Sequence, residues 1–210
     1  MRRAPGSAAA RRAVSADAPA RSVSDYYVYF PGKPGSAAQS SYAALLQSDR
    51  NLVKNPSFEE GDPLPAHWSA PAKEEGLRVE RADPRHPLLG GHAVKMQIAP
   101  DATSRWRGWQ QSVPVRPGHS YLLAAWVKCE GVRGGEVRLH AHRHTAAGGL
   151  TSQEPMLSAG PGITGTSDWT LMSGLVSMPN DAASLRVHLT TEKSGTVWHD
   201  GVVVAEVTPA

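Results

Sequence analysis

Two short segments carry the side chains best suited to chemistry. In RWRGWQQ (Arg105 to Gln111), the indoles of Trp106 and Trp109 stand three residues apart among Arg105, Arg107 and Gln110. An indole face stacks on the CH-rich face of a sugar ring, while guanidinium and carboxamide groups bond hydroxyls or a carboxylate, arginine bidentately. On a loop running into a strand, one or both rings can form a platform; the alternative is that Trp109 packs the core and Trp106 caps the loop. In HAHRH (His140 to His144), three imidazoles recur at every second position. Zinc or copper accepts such a set, and a water in the fourth position would make a hydrolytic site. No Glu or Asp stands in the run to orient the imidazoles or act as base. Neutral imidazoles also bond sugar hydroxyls, and a polar face of period two is the ordinary outward face of a sandwich strand. Sugar contact or solvent exposure is therefore preferred to metal catalysis.

Other chemistries lack their parts. Glycoside hydrolysis needs two carboxylates about 5–10 Å apart across the substrate. Glu74, Glu75, Glu80, Asp83, Glu130, Glu136 and Glu154 are scattered over turns and edges instead. The chain has no G-x-S-x-G elbow, phosphate loop or dinucleotide fingerprint.

The bulk numbers set the frame for these side chains. A chain of 210 residues suits one domain with extra segments and can bury a core without staples. Its 20 Gly and 17 Pro fit many short strands joined by turns. Six Trp dominate few aromatics, which directs attention to a stacking surface. The formal net charge is +3, and much of the excess lies in Arg2, Arg3, Arg11, Arg12 and Arg21, opposed there only by Asp17. No basic stripe with interleaved aromatics follows, which argues against nucleic-acid binding. The single cysteine, Cys129, excludes an internal disulfide and a Cys-based zinc cage. No run of about 18 apolar residues predicts a membrane span, and the N-terminus lacks the apolar middle of a signal peptide. Export signalled elsewhere, or membership of a longer protein, would account for that; the second is the reading adopted.

The elements that must position the site are read from alternation and turn signals. Residues 1–22 are Ala, Arg, Ser and Pro without period, a composition that predicts a disordered basic tail. Residues 23–50 read as a leader or the end of an upstream domain, with a short strand over Asp25–Phe30 and a helical turn or two at YAALLQ, capped by Ser40-Ser41. From Asn51 the texture becomes all-β. Strands are predicted over Leu77–Arg81, Ala93–Ile98, Gly108–Val115, Ser120–Lys128, Glu136–His144, Thr170–Ser177, Ser184–Thr190 and Thr196–Val207, spaced as in a sandwich. Val137, Leu139 and Ala141 share one side, opposite Arg138, His140, His142 and His144. Leu185, Val187 and Leu189 point inward, and Arg186, His188 and Thr190 outward. Either Tyr121, Leu123, Ala125 and Val127 or the complementary set faces the core; the first choice puts Trp126 beside Lys128 outside. One sheet would then present His140, His142, His188, arginines and possibly the Trp126 ring, the kind of face a sugar site requires.

Six motifs in order carry a resemblance. NLVKNPSFEEG (Asn51 to Gly61), Pro65 with Trp68, GGHAVKMQI (Gly90 to Ile98), VPVRPGHSYLLAAWVK (Val113 to Lys128), DWTLMSGLVSMP (Asp168 to Pro179) and TVWHDGVVVAEV (Thr196 to Val207) together resemble carbohydrate-binding modules of the 4/9/22 type. The match covers about 155 of 210 residues. The resemblance implies a jelly-roll β-sandwich of two antiparallel sheets, akin to the galactose-binding domains, over residues 51–208. It implies a polysaccharide or glycan as partner and no catalytic residues, with the module monomeric and attached to other domains of an extracellular or cell-surface protein. It also implies a structural calcium ion, with carboxylates from Glu59 and Asp200; Glu60 is the adjacent alternative for Glu59. Calcium chemistry agrees, since the ion takes hard oxygen ligands including backbone carbonyls. Two rival readings remain: a sandwich that only docks or spaces neighbours, which requires a buried Trp106 and no groove, and a metal-dependent hydrolase built on His140, His142 and His144.

Overall fold

The computed structural model describes residues 37–82, 89–153 and 155–207. The basic tail and the Asp25–Phe30 run lie outside them. One helix, α1 (Ala37–Leu46), precedes eight strands: β1 (Leu77–Ala82), β2 (Ala93–Ile98), β3 (Arg107–Pro114), β4 (Ser120–His144), β5 (Met156–Ser158), β6 (Ile163–Ser177), β7 (Ser184–Thr191) and β8 (Gly195–Val207). All named pairings are antiparallel.

The jelly-roll sandwich consists of two leaves that share one strand. The first part of β4 (120–130) lies between β8 and β6, and β8 continues to β2 and β1. The last part of β4 (137–144) lies between β7 and β5, and β7 continues to β3. The two sheets expected from sequence are thus joined through β4 into one curled antiparallel sheet. The expected strands Ser120–Lys128 and Glu136–His144 are thus one strand, continuous through Gly131 and Gly134. These adopt φ of 63° and 71°, open to glycine without a Cβ clash, and the β4–β6 register shifts there while pairing resumes at Val137. β6 also starts earlier than expected and carries Asp168 within it, and the three-residue β5 was not foreseen.

Alternation set the core correctly. Tyr121, Leu123, Ala125 and Val127 from the first leaf meet Val137, Leu139, Ala141, Leu185, Val187 and Leu189 from the second in one cluster with Phe58, Trp68, Trp109 and Val113. A second, smaller cluster lies outside the first leaf. There Tyr42 and Leu46 of α1 cover Ala124, Val203 and Ala205, with Leu122 and Trp126 packed against them. α1 runs over Ala37–Leu46, so positions 40 and 41 fall within the helix rather than ahead of it.

The NLVKNPSFEEG segment is held by its own polar side chains. Asn51 Oδ1 accepts from Val53 N and Val204 N, and its Nδ2 donates to Val202 O and Leu46 O. Asn55 closes the next loop by donating to Glu60 O and Ala66 O and accepting from Glu60 N. Gln111 then fastens this loop to β3, donating to Lys54 O and His67 O and accepting from Lys54 N. Ser69 pairs with Gln110 through two backbone bonds of 2.9 Å, extending the second leaf by one bridge.

Candidate functional site

The outer face of the second leaf collects the side chains that could hold a ligand. His188 of β7 lies directly across from His140 on β4 and from Gln110 on β3. Arg186 lies across from His142 and Ser112, and Thr190 across from Arg138 and Gly108. Trp106 immediately precedes β3 and shares its outward parity with Gln110. Its indole is 46% exposed and meets the His140 ring edge-on, with centroids 4.9 Å apart. The His142 and His188 rings lie 4.4 Å apart, and His142 and His144 6.4 Å apart. Trp106, Gln110, His140, His142 and His188, singled out from the sequence, therefore come together on one face.

His188, His140 and His142 all have their pKa lowered, which favours the neutral ring. Burial pushes the His188 pKa down to about 4, helped by repulsion from His142, Arg186, His140 and His144. His140 is lowered by burial and by Arg138 and His142 against the opposing pull of Glu136; His142 is lowered by burial, His144 and Arg186. A neutral imidazole offers one donor and one acceptor, which suits a hydroxyl. The Thr190 hydroxyl is shared between Arg138 O at 2.9 Å and His140 Nδ1 at 3.4 Å. Among the described residues, no group of three His, Cys, Asp or Glu side chains is placed to hold a metal ion.

Three sequence expectations are corrected by the packing. Trp109 is completely buried in the core, because a spacing of three along an extended chain puts it opposite Trp106. Arg107 has the same inward parity and is 5% exposed. It pairs with Glu74 and donates to the carbonyls of Thr103, Arg105 and Glu192, so it braces the loop before β3. Arg105 stays exposed on the loop before β3, paired there with Glu74. Trp126 does point outward beside Lys128, but on the first leaf, where the Tyr42 ring meets it edge-on at 6.2 Å beneath α1. It is covered by the helix and lies apart from the histidine face.

The structure adds residues that the sequence reading left out. An open cleft of about 660 Å³ adjoins the histidine face, lined by Lys54, His67, Ser69, Gln110, Ser112 and Arg186 among others. Arg186 was legible as outward from its alternation with His188. Lys54 and Ser69 were not, because a long-range tether through Gln111 brings their loop beside β3.

The two proposed calcium ligands occupy adjoining segments. Asp200 is completely buried and accepts from Gly201 N at 2.6 Å. Val202 N donates to Pro56 O, tying the bulge after Asp200 to the loop that carries Glu59. Gly201 takes φ of 56° there, a left-handed conformation that favours glycine, and a Cβ would crowd the Leu89 side chain. Glu59 accepts from Gly91 N and His92 N and meets His92 Nδ1 at 3.0 Å. Burial opposes its ionisation, but the bonds from His92 and Gly91 outweigh this and lower its pKa. Both side chains are carboxylates, the hard oxygen donors that calcium takes, and the Glu59 carboxylate is already bonded by Gly91 and His92. Arg81 already binds the carbonyls of Phe58, Glu59 and Gly61 at 2.7–2.8 Å, so those three oxygens face a guanidinium.

Comparison with known proteins follows from this geometry. A family model described as a carbohydrate binding domain, of the 4/9 type, matches residues 50–196. No curated protein matches the chain. Among solved structures, the chain is similar to the CBM22-1 xylan-binding domain from Paenibacillus barcinonensis Xyn10C, at 19% identity and TM-score 0.51, covering 73% of this chain and 93% of that one. It is similar to the Clostridium thermocellum endo-1,4-beta-D-xylanase 10B CBM22-1–GH10 modules complexed with xylohexaose, at 14% identity and TM-score 0.56, covering 77% of this chain and 29% of that one. It is also similar to the enzymatically active domain of bacteriophage CBA120 tailspike protein 4, at 15% identity and TM-score 0.59, covering 75% of this chain and 21% of that one. The chain thus spans about a fifth of the tailspike chain and under a third of the xylanase chain.

Proposed function

This chain belongs to the carbohydrate binding domain family, and from that premise we propose that it holds a glycan on the outer face of its second leaf, with Trp106 as the stacking platform. The observation that carries this is the exposed Trp106 ring set edge-on to His140, in line with Gln110, His142 and His188. The indole offers an apolar face, and the neutral imidazoles and the Gln110 carboxamide offer fixed donors and acceptors for hydroxyls. The reading that the sandwich only docks neighbours requires a buried Trp106 and no groove, so the exposed ring and the adjoining cleft favour binding.

Affinity electrophoresis and calorimetry against plant, algal and animal polysaccharides test the site. Dissociation constants of about a micromolar to a millimolar are expected, since sugar hydroxyls exchange protein for water nearly evenly. Trp106→Ala should weaken binding about tenfold or more, as truncating an aromatic anchor does, with an unchanged melting temperature. Binding by the variant equal to that of the parent, or no binding of any polysaccharide by the parent, overturns the placement.

The chain's role in a larger, extracellular carbohydrate-active protein is part of the same proposal. It is supported by the similar domain that accompanies a GH10 module in the xylanase structure. Among the described residues no helix is long and apolar enough to cross a membrane. Glu59 and Asp200 would hold a structural calcium, neutralising the buried carboxylate and fastening the loop at Glu59 to β8. Calcium at about a hundred times its dissociation constant would add about 2.7 kcal/mol. EGTA should then lower the melting temperature by about 5–10 °C, reversibly with added calcium. Asp200→Asn should abolish the response to EGTA. Identical melting curves with calcium and with EGTA would rule out the ion.

A further inference from the structure

The cleft beside the histidine face differs from the face itself in its charge. Lys54 and Arg186 both line it, and no carboxylate does. Among the described residues, neither cation has an acid within salt-bridge distance. The Arg186 side chain is exposed, and its hydrogen bond there runs from Nε to Ser112 Oγ at 3.2 Å. That contact orients the guanidinium and leaves its outer edge to a ligand. Three other arginines are paired instead: Arg105 and Arg107 share the Glu74 carboxylate, and Arg138 meets Glu136. Ser69, Gln110 and Ser112 add short polar side chains to the same wall.

We propose that this cleft receives an anionic substituent of the bound glycan, and that the ligand is a polysaccharide bearing carboxylates or sulfate esters. A planar guanidinium held from one side presents its remaining N–H groups as a pair, the arrangement that a carboxylate or sulfate accepts bidentately. Lys54, on the loop fastened by Gln111, supplies a second cation to the cleft lining. The histidine face would take the hydroxyls of the adjoining sugar ring while Arg186 and Lys54 take the charge. A neutral polymer would leave both cations in the cleft without a counter-charge. This inference rests on the glycan site at Trp106 and specifies its substrate class.

The experiment compares calorimetric titrations of the whole chain with four polymers: a polyuronate, the same polyuronate with its carboxyls reduced to alcohols, a sulfated galactan and a neutral galactan. The expected result is preference for an anionic polymer over its neutral counterpart by about tenfold, the value of a charge-assisted bond. Polyuronate binding lost on carboxyl reduction identifies a carboxylate; preference for the sulfated galactan identifies a sulfate. Arg186→Gln should remove the preference while retaining the neutral level of binding, and its melting temperature should match the parent's. Arg78→Gln, at another cleft, should change nothing. Trp106-dependent binding of neutral and charged chains alike overturns this inference and leaves the site at Trp106 standing. Polyanion binding that survives in both Trp106→Ala and Arg186→Gln, or that falls equally in Arg78→Gln, marks general attraction to a basic protein and overturns it too. No binding of any of the four overturns the inference, while the site at Trp106 stands or falls with the wider polysaccharide panel.

Discussion

Trp109→Ala should lose about 3–5 kcal/mol of stability, the range for truncating a large aromatic in a packed core. The residue is completely buried, within a cluster that joins both leaves of the sandwich. It sits on β3 directly across from Leu189, itself fully buried. Among the described residues its indole N–H has no hydrogen-bond partner, so apolar burial and packing carry its contribution. Removing the ring leaves a cavity that the rigid flanking strands close only in part. Domains are stable by only about 5–15 kcal/mol, so such a loss takes a large share of the total. Urea titration should show the midpoint falling sharply with little change in slope. Trp106→Ala, three residues away, should stay within about 0.5 kcal/mol of the parent, as exposed positions do. Equal losses in the two variants would mean that Trp106 is a packing residue and that the stacking platform is misplaced.

That contrast shows what alternation can and cannot read. The parity that separated Leu185, Val187 and Leu189 from Arg186 and His188 also separates Trp109 from Trp106, since odd spacing along an extended chain reverses the face. Applied to RWRGWQQ, it puts Arg107, Trp109 and Gln111 inward and Trp106 and Gln110 outward, as found. Treating the segment as a loop kept both rings available and cost that distinction. Trp126 failed for another reason. Its outward direction followed from period two, but the helix that covers it arrives from about eighty residues upstream, and no local pattern announces which leaf a helix will cap. The cleft was hidden in the same way. Lys54 and Ser69 reach β3 only because Gln111, buried among polar backbone groups, can satisfy Lys54 and His67 at once. The gap between the expected strands Ser120–Lys128 and Glu136–His144 closed because paired strands flank it on both sides, and pairing outweighed the local preference.

Acid should destabilise this domain through His199 before its carboxylates are protonated. His199 lies on β8 between Val94 and Val127 and is completely buried. Among the described residues neither ring nitrogen has a hydrogen-bond partner. Burial pushes its pKa down to about 3, because the charged ring would have to give up its hydration. In the unfolded chain the imidazole titrates near 6.5. Between those values the unfolded state binds a proton that the native state refuses, so native stability falls as pH drops below about 6.5, and the loss levels off near pH 3. The slope approaches about 1.4 kcal/mol per pH unit for one such group, giving about 2 kcal/mol between pH 6 and 4.5. His188 acts in the same direction, with its own pKa down at about 4. Equilibrium urea unfolding at pH 7, 6, 5 and 4.5 should show this decline. His199→Leu should flatten it, leaving the smaller part due to the surface histidines. A stability that does not change over that range, or a decline of the same size in the variant, would refute the assignment. A direct check is the His199 ring proton resonance, which should not titrate between pH 7 and 4.5 while the chain remains folded. Because His188 also stays largely neutral down to about pH 5, glycan affinity measured on the folded fraction should hold through the upper part of this window. Acid would then act on the core before it acts on the binding face.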